Sequence, residues 1–331
     1  MRRLGEIALI SDYLAPLATG PASFGLKDDA ALLTALPASG LVVTTDASVA
    51  GVHFFEDDDP GDAAYKALAV NVSDLAAKAA RPLAYTLTLA LADAPTDDWA
   101  KRFTDGLARG QAAFGLGLIG GDTVTAKGAW WMSITAFGEA SHRGLVPRGG
   151  GQAGDYLYVS GTLGDSAFGL RLRLDKAAFA PPLQAAHRDF LLARYLFPEP
   201  RLALSDSLAR FASAAMDISD GLVLDLTRMC SASQVSAEVS VSSIPLSEAA
   251  KAVVAGADGM IHWALSGGDD YEILAAVPPA LAPEFEATAT ASGVRVTRVG
   301  ALTPGSEAPR FMNHDGTVLQ PSAKGFEHFP I

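Results

Sequence analysis

The chain has 331 residues but only one cysteine, Cys230. A single cysteine excludes an intramolecular disulfide and a cysteine-cluster metal site. Its Leu/Met-rich, helically spaced surroundings read as those of a buried structural thiol. Positive charge is scarce, with 25 Lys and Arg against 37 Asp and Glu, for a net charge of −12. That balance excludes a general binder of nucleic acid or of a membrane surface, because nothing neutralises phosphates in bulk. It leaves room for phosphate binding through intervening metal ions. No apolar run approaches the ~18 residues of a membrane span. Glu6 and Asp12 interrupt the start before any signal-peptide core can form, so the expected location is the cytoplasm. Several motifs are also missing. No G-x-x-x-x-G-K-[ST] loop, no G-x-G-x-x-G after a strand, no G-x-S-x-G and no H-E-x-x-H occurs, which argues against P-loop, Rossmann, nucleophile-elbow and zincin chemistry. The six histidines lack metal-ligand spacing.

Apolar residues make up 49% of the chain and charged residues 19%, a globular composition long enough for two domains. Helical spacing covers residues 4–18, 62–80 and 96–114. Strand patterns cover 41–46, 83–92, 130–139, 155–160 and 272–277. The glycine-rich run from Gly144 to Gly154 reads as a boundary, dividing the chain into domains 1–148 and 149–331. Strands and helices alternate in both halves, so the fold class is α/β of the α+β type.

The chemical signal lies in where the aspartates fall. Asp28-Asp29 follows a turn, Asp46 closes a buried strand, and Asp74 sits in an apolar helix. Asp122 follows Gly120-Gly121, read as a turn, and Asp217 and Asp220 flank Ile218-Ser219. On the helix, Asn71, Asp74 and Lys78 share one stripe, either an ordinary solvated face or one aimed at a partner. Each aspartate alone could be a turn or cap residue. Together they suit a site in which Mg²⁺ is held by carboxylates and substrate phosphates. Gly120-Gly121, and Gly149 to Gly151 behind Arg148, offer backbone amides to an anion. His53 reads equally as structural or functional. Trp130-Trp131 reads as core or subunit interface, and Asp57 to Asp59 as a solvated loop.

Taken in order, the motifs resemble one family over nearly the whole chain. They are Leu26-Lys27-Asp28-Asp29-Ala30-Ala31, Thr44-Thr45-Asp46 through Gly51-Val52-His53-Phe54, and Ala69 to Ala77. Then come Ile119-Gly120-Gly121-Asp122-Thr123, Asp217 to Leu222, and Ser266-Gly267-Gly268-Asp269-Asp270-Tyr271-Glu272. This set is similar to that of the thiamine-monophosphate kinases, within a superfamily that includes aminoimidazole ribonucleotide synthetase, selenophosphate synthetase and a hydrogenase maturation factor. The resemblance implies a two-domain aminoimidazole ribonucleotide synthetase-like fold, with the N-terminal domains of a homodimer joining their sheets into a barrel. The second domain would complete the active site. It implies transfer of the γ-phosphoryl of ATP to thiamine monophosphate, giving thiamine diphosphate and ADP. Asp29, Thr44, Thr45, Asp46, Asp74, Asp122, Asp217 and Asp220 would hold several Mg²⁺ ions. Gly121, Asp122, Arg148 and Ser219 would contact ATP, and His53, Asp269 and Phe326 the acceptor. Two positions depart from the family pattern: Lys27 replaces a usual Gly, and Asp269 a usual Glu. Among rivals, selenophosphate synthetase expects a reactive cysteine near the N-terminus and the maturation factor a C-terminal cysteine, whereas this sequence closes on Phe329-Pro330-Ile331. A ribonucleotide-ring synthetase and a catalytically weak nucleotide-binding regulator are the remaining alternatives.

Overall fold

Leu68, Val72, Leu75 and Ala79 recur at helical spacing, and all four are buried in the computed structural model. The structure describes residues 3–27, 30–31, 37–179, 182–256 and 259–321. Two compact units emerge: Met1–Leu75 with Ala80–His142, and Ala76–Ala79 with Arg143–Ile331.

The first unit opens with a short helix α1 (Glu6–Ala8), continued by π and 3₁₀ turns to Leu17. Strand β1 (Leu41–Val49), helix α2 (Pro60–Ala77), strand β2 (Arg81–Leu91) and helix α3 (Asp97–Phe114) follow. Strands β3 (Gly117–Thr125) and β4 (Trp131–Glu139) complete a sheet of order β1-β4-β2-β3. β2 and β3 run parallel, as a helical crossover through α3 requires, and the other pairs are antiparallel. Thr96 caps α3 by accepting from the Trp99 N–H at 3.2 Å, and Gly115 ends it in the left-handed conformation. Side chains alternate across this sheet. Val42, Ser48, Leu87, Leu89, Met132 and Ile134 are buried on one face, while Val43 and Thr45 are exposed on the other.

Two local expectations change here. Gly120-Gly121 is not a turn; both residues lie inside β3. A Cβ on Gly121 would stand 1.9 Å from the Leu87 carbonyl oxygen, so close backbone approach of β2 and β3 demands glycine there. Helix α2 stops at Ala77, short of 80, because Ala79 takes a left-handed conformation that turns the chain toward β2.

The second unit contains β5 (Tyr156–Ser160), α4 (Asp165–Leu174), α5 (Ala185–Leu196), α6 (Ser205–Phe211) and β6 (Ala214–Ile218). It continues with α7 (Leu222–Ser233), β7 (Ser236–Ser240), α8 (Glu248–Gly256), α9 (Met260–Ser266) and β8 (Glu272–Val277). Helix α10 (Ala282–Ala291) and strands β9 (Val296–Thr303), β10 (Arg310–Met312) and β11 (Val318–Leu319) follow. The sheet order is β11-β10-β7-β9-β5-β8-β6. Two cores form on this sheet. Leu157, Met216 and Leu274 enter one, and Tyr158, Ala215 and Ala275, their neighbours in sequence, enter the other. Burial on both faces explains why these strands read as unbroken apolar runs.

Candidate active site

In the first unit, alternation along β1 places Thr44 and Asp46 on the same face, toward α2. The Thr44 hydroxyl donates to Asp74 Oδ2 in a short contact. The backbone N–H of Asp46 donates to Asn71 Oδ1 at 3.1 Å. Asn71 and Asp74 are one helical turn apart, so strand and helix present an oxygen-rich patch of Thr44, Asp46, Asn71 and Asp74. Lys78, on the same stripe, is used elsewhere: its Nζ donates to the Ala215 carbonyl at 2.7 Å. The stripe is therefore half-buried and hydrogen-bonded, not a solvated face.

Next to this patch, the turn after β1 carries His53. Its Nδ1 accepts from the Val49 N–H at 3.0 Å, which leaves Nε2 to carry the proton of the neutral ring. The buried Lys66 reaches the His53 carbonyl at 3.4 Å. Thr45 and Asp122 fall on the opposite face. Asp46 shares a cross-strand row with Ile134, Leu87 and Gly121, whereas Asp122 shares the next row with Thr88, Ser133 and Ala47. A one-residue step reverses side-chain direction, and β1 and β3 lie three strand spacings apart, roughly 14 Å. Thr45 Oγ1 instead donates to the Ile134 carbonyl at 3.1 Å. Asp29 lies outside the described residues.

In the second unit, Asp217 is buried near the end of β6. The turn after it is drawn inward by Asp225 of α7, whose Oδ2 accepts the N–H groups of Ser219 at 3.0 Å and Asp220 at 2.9 Å. Burial pushes the Asp225 carboxyl up to about 6, against the lowering effect of the amide it accepts. Arg228 bridges Asp225 and Asp220. The turn also holds the Ser266–Glu272 segment. The Ser219 carbonyl accepts the Asp269 N–H at 2.8 Å, and the Ile218 carbonyl accepts the Tyr271 N–H at 2.9 Å. A Cβ on Gly268 would stand 2.4 Å from the Ser219 carbonyl oxygen, so this nesting requires glycine. Asp269 accepts from the Tyr271 hydroxyl at 3.2 Å.

Arg148 is exposed, but two of the three glycine amides behind it are already engaged. The N–H groups of Gly150 and Gly151 both donate to Ser233 Oγ at 3.2 Å. Phe326 lies outside the described residues. Trp130 packs with Phe54 and Trp99, and Asp58 and Asp59 accept N–H groups of Phe55 and Gly61 instead of lying free in a solvated loop.

Comparison with known proteins places the chain in a family. The AIR synthase related protein N-terminal domain matches residues 27–140, and the corresponding C-terminal domain matches residues 152–310. A thiamine-monophosphate kinase of Caulobacter vibrioides is 39% identical over 328 residues, spanning 98% of this chain and 90% of the relative. The chain belongs to the thiamine-monophosphate kinase family. The crystal structure of the Stenotrophomonas maltophilia thiamine-monophosphate kinase matches with a TM-score of 0.82 at 37% identity, covering 96% of this chain and 99% of that one. AaThiL complexed with AMPPCP and TMP matches with a TM-score of 0.76 at 30% identity, covering 99% of both chains. These matches establish the two-domain fold of the family for this chain.

Among the described residues, no three Asp, Glu, His or Cys side chains converge as a metal cage. The donors on the β1–α2 patch, namely Thr44, Asp74, and Asp46 on the same strand face as Thr44, are hard oxygens. They fit Mg²⁺, which a kinase holds through one or two carboxylates together with substrate phosphates. Reasoning from the sequence missed that Asn71 and Asp225 hold the backbone beside the candidate residues. Asn71 was visible in the α2 stripe. Asp225 had no signal beyond an acid in the first turn of a helix, which is common.

Proposed function

We propose that this chain transfers the γ-phosphoryl group of ATP to the phosphate of thiamine monophosphate, producing thiamine diphosphate and ADP. The observation that carries the reading is the end-to-end likeness to AaThiL complexed with AMPPCP and TMP, which pairs an ATP analogue with that acceptor. The oxygen patch on β1 and α2 supports it chemically. The acceptor is already an anionic phosphate, so no general base has to remove a proton. The barrier is the approach of two negatively charged groups in line, and catalysis is positioning plus electrostatics. His53, with Nδ1 committed to the Val49 N–H, fits a contact role through Nε2–H and not a base.

Bound Mg²⁺ would neutralise the converging phosphates and fix their geometry. Thr44, Asp46 and Asp74 would hold it first, with Asp29, Asp217 and Asp220 completing a set of several ions; Thr45 and Asp122, on the other sheet face, are left out of that set. Gly121, Arg148 and Ser219 would bind ATP, while His53, Asp269 and Phe326 would bind the acceptor. Asp269 is one methylene shorter than the family's usual Glu, so a water can bridge its contact. The working form is a homodimer in the cytoplasm; no helix among the described residues is long and apolar enough to cross a membrane.

A coupled ADP-release assay with ATP, Mg²⁺ and thiamine monophosphate tests the reading, with thiamine as control acceptor. Activity with the monophosphate alone is expected. ADP release that is equal with thiamine, or absent with both, defeats the assignment.

A further inference from the structure

Asn71 is a buried polar side chain to which the phosphoryl-transfer reading gives no task. It is 1% exposed, on a helix whose neighbouring positions are mostly Ala, Val and Leu. Both ends of its amide are engaged. Oδ1 accepts from the Asp46 N–H at 3.1 Å, and Nδ2 donates to the Ala67 carbonyl, one turn back in α2, at 2.9 Å. The Ala67 bond fixes the amide on the helix, so the oxygen is the end presented to β1.

This contact works in step with a second one. Thr44 and Asp46 lie two residues apart on β1 and share a face, a rise of ~6.6 Å. Asn71 and Asp74 lie three residues apart on α2, a rise of ~4.5 Å along a neighbouring line. Asn71 grips the backbone at Asp46, and Asp74 accepts from the Thr44 side chain. The register between strand and helix is thereby tied at two points, and these points bracket both carboxylates of the patch. Metal-binding constellations work only when first ligands are held to within ~0.5 Å by surrounding hydrogen bonds.

We propose that Asn71 is a positioning residue that sets Asp46 against Asp74 for Mg²⁺·ATP, without touching the metal itself. The proposal rests on the magnesium reading of the patch. Residue chemistry explains why an amide stands there. Alanine leaves the Asp46 N–H without its side-chain acceptor and opens a gap. Aspartate keeps the acceptor but turns its second oxygen toward the Ala67 carbonyl. Glutamine is one methylene too long for a closely packed helix–strand seam.

The test compares the parent chain with Asn71→Ala and Asn71→Asp. Two readouts are taken over a Mg²⁺ titration: kinase rate, and thermal stabilisation by Mg²⁺ with AMPPCP and no acceptor. Asn71→Ala is expected to raise the Mg²⁺ half-saturation roughly tenfold in both readouts, the scale of one lost buried hydrogen bond. Asn71→Asp, which retains the acceptor, is expected to return it to within about threefold of the parent. A purely structural asparagine would lower the melting temperature of Asn71→Ala and leave its Mg²⁺ dependence unchanged, which overturns the proposal. So does an Asn71→Asp variant shifted as far as Asn71→Ala. Should Asn71→Ala fail to fold, the half-saturation of Asn71→Asp decides alone, a tenfold rise refuting the proposal. A parent stabilised by Mg²⁺ and AMPPCP but inactive on thiamine monophosphate defeats the acceptor assignment, and the thermal comparison still decides the role of Asn71. A parent unaffected by Mg²⁺ and AMPPCP overturns both.

Discussion

Asp74 combines two properties at a single position: a carboxylate on a helix that is otherwise largely buried, and a short hydrogen bond from Thr44. An isolated charge in that setting is costly, which suits a carboxylate that serves the metal proposed above. Asp74→Asn keeps shape and an acceptor for Thr44 but removes the charge. Turnover is expected to fall at least ~10²-fold, the scale of deleting one electrostatic contact to a transition state, with the fold intact by circular dichroism. Near-parental ADP release would count heavily against this patch. Cys230 makes the opposite case, a reactive residue type made inert by its place. It lies on α7 with its side chain in the core, and burial pushes its thiol up to about 11. With the thiol raised by burial and enclosed in the core, alkylation by iodoacetamide should require unfolding. The sign of the linked stability follows. Between the ordinary value of 9.0 and about 11, the unfolded chain ionises while the folded chain does not. Cys230 therefore makes stability fall as pH rises through that window. Rapid labelling of native protein at pH 8 would show that the thiol is not enclosed.

Glu272 governs an element, the entry of β8 and the segment that leads into it. Its carboxylate is wholly buried and pairs with Arg194 and Arg201, while Ser160 Oγ donates to it at 2.6 Å. Removing one member of such a network strands the rest, so Glu272→Ala should cost about 3–5 kcal/mol in chemical denaturation. A cost below ~1 kcal/mol would show that the arginines find other partners. Glu272 also illustrates what the sequence could and could not convey about elements. The run from Glu272 to Val277 announces a strand because both its faces are buried, and the α2 stripe announces a helix by its spacing. Gly120-Gly121 misled because glycine pairs serve turns and close strand approach equally well. Only the Leu87 carbonyl, 1.9 Å from a Cβ on Gly121, separates the two. Thr44, Asp46 and Asp74 were legible as a shared polar patch because strand and helix periods put polar groups where apolar ones belong. Asp225 was not, since what matters about it is its bond to two amides five and six residues back, a contact that spacing alone does not specify. The reversal of Asp122 relative to Asp46 was equally hidden. It depends on register across four strands, and a shift of one residue changes the face.

At the scale of the whole molecule, the exposed face of the first unit's sheet is where a second copy would pair. Val43 is 53% exposed on β1 and Val124 38% on β3, and the half-buried Trp131 and Phe137 of β4 lie on that same face by alternation. Apolar groups on a sheet face suit a partner that covers them, and the barrel implied by the sequence resemblance would supply one. The expected solution state is a dimer of about twice 34.2 kDa by light scattering. Val43 is the position to test, because its side chain points away from the Thr44–Asp74 patch. Val43→Asp would bury a charge at the seam in each copy without a counter-ion, and the dimer should dissociate by several kcal/mol of interface cost. Charge adds an independent check. Each copy carries −12, so association works against like-charge repulsion that salt screens over ~10 Å at 0.1 M. Raising NaCl should therefore tighten the dimer, whereas one held mainly by cross-subunit ion pairs would weaken. A Val43→Asp protein that remains dimeric at low salt would place the interface on another surface.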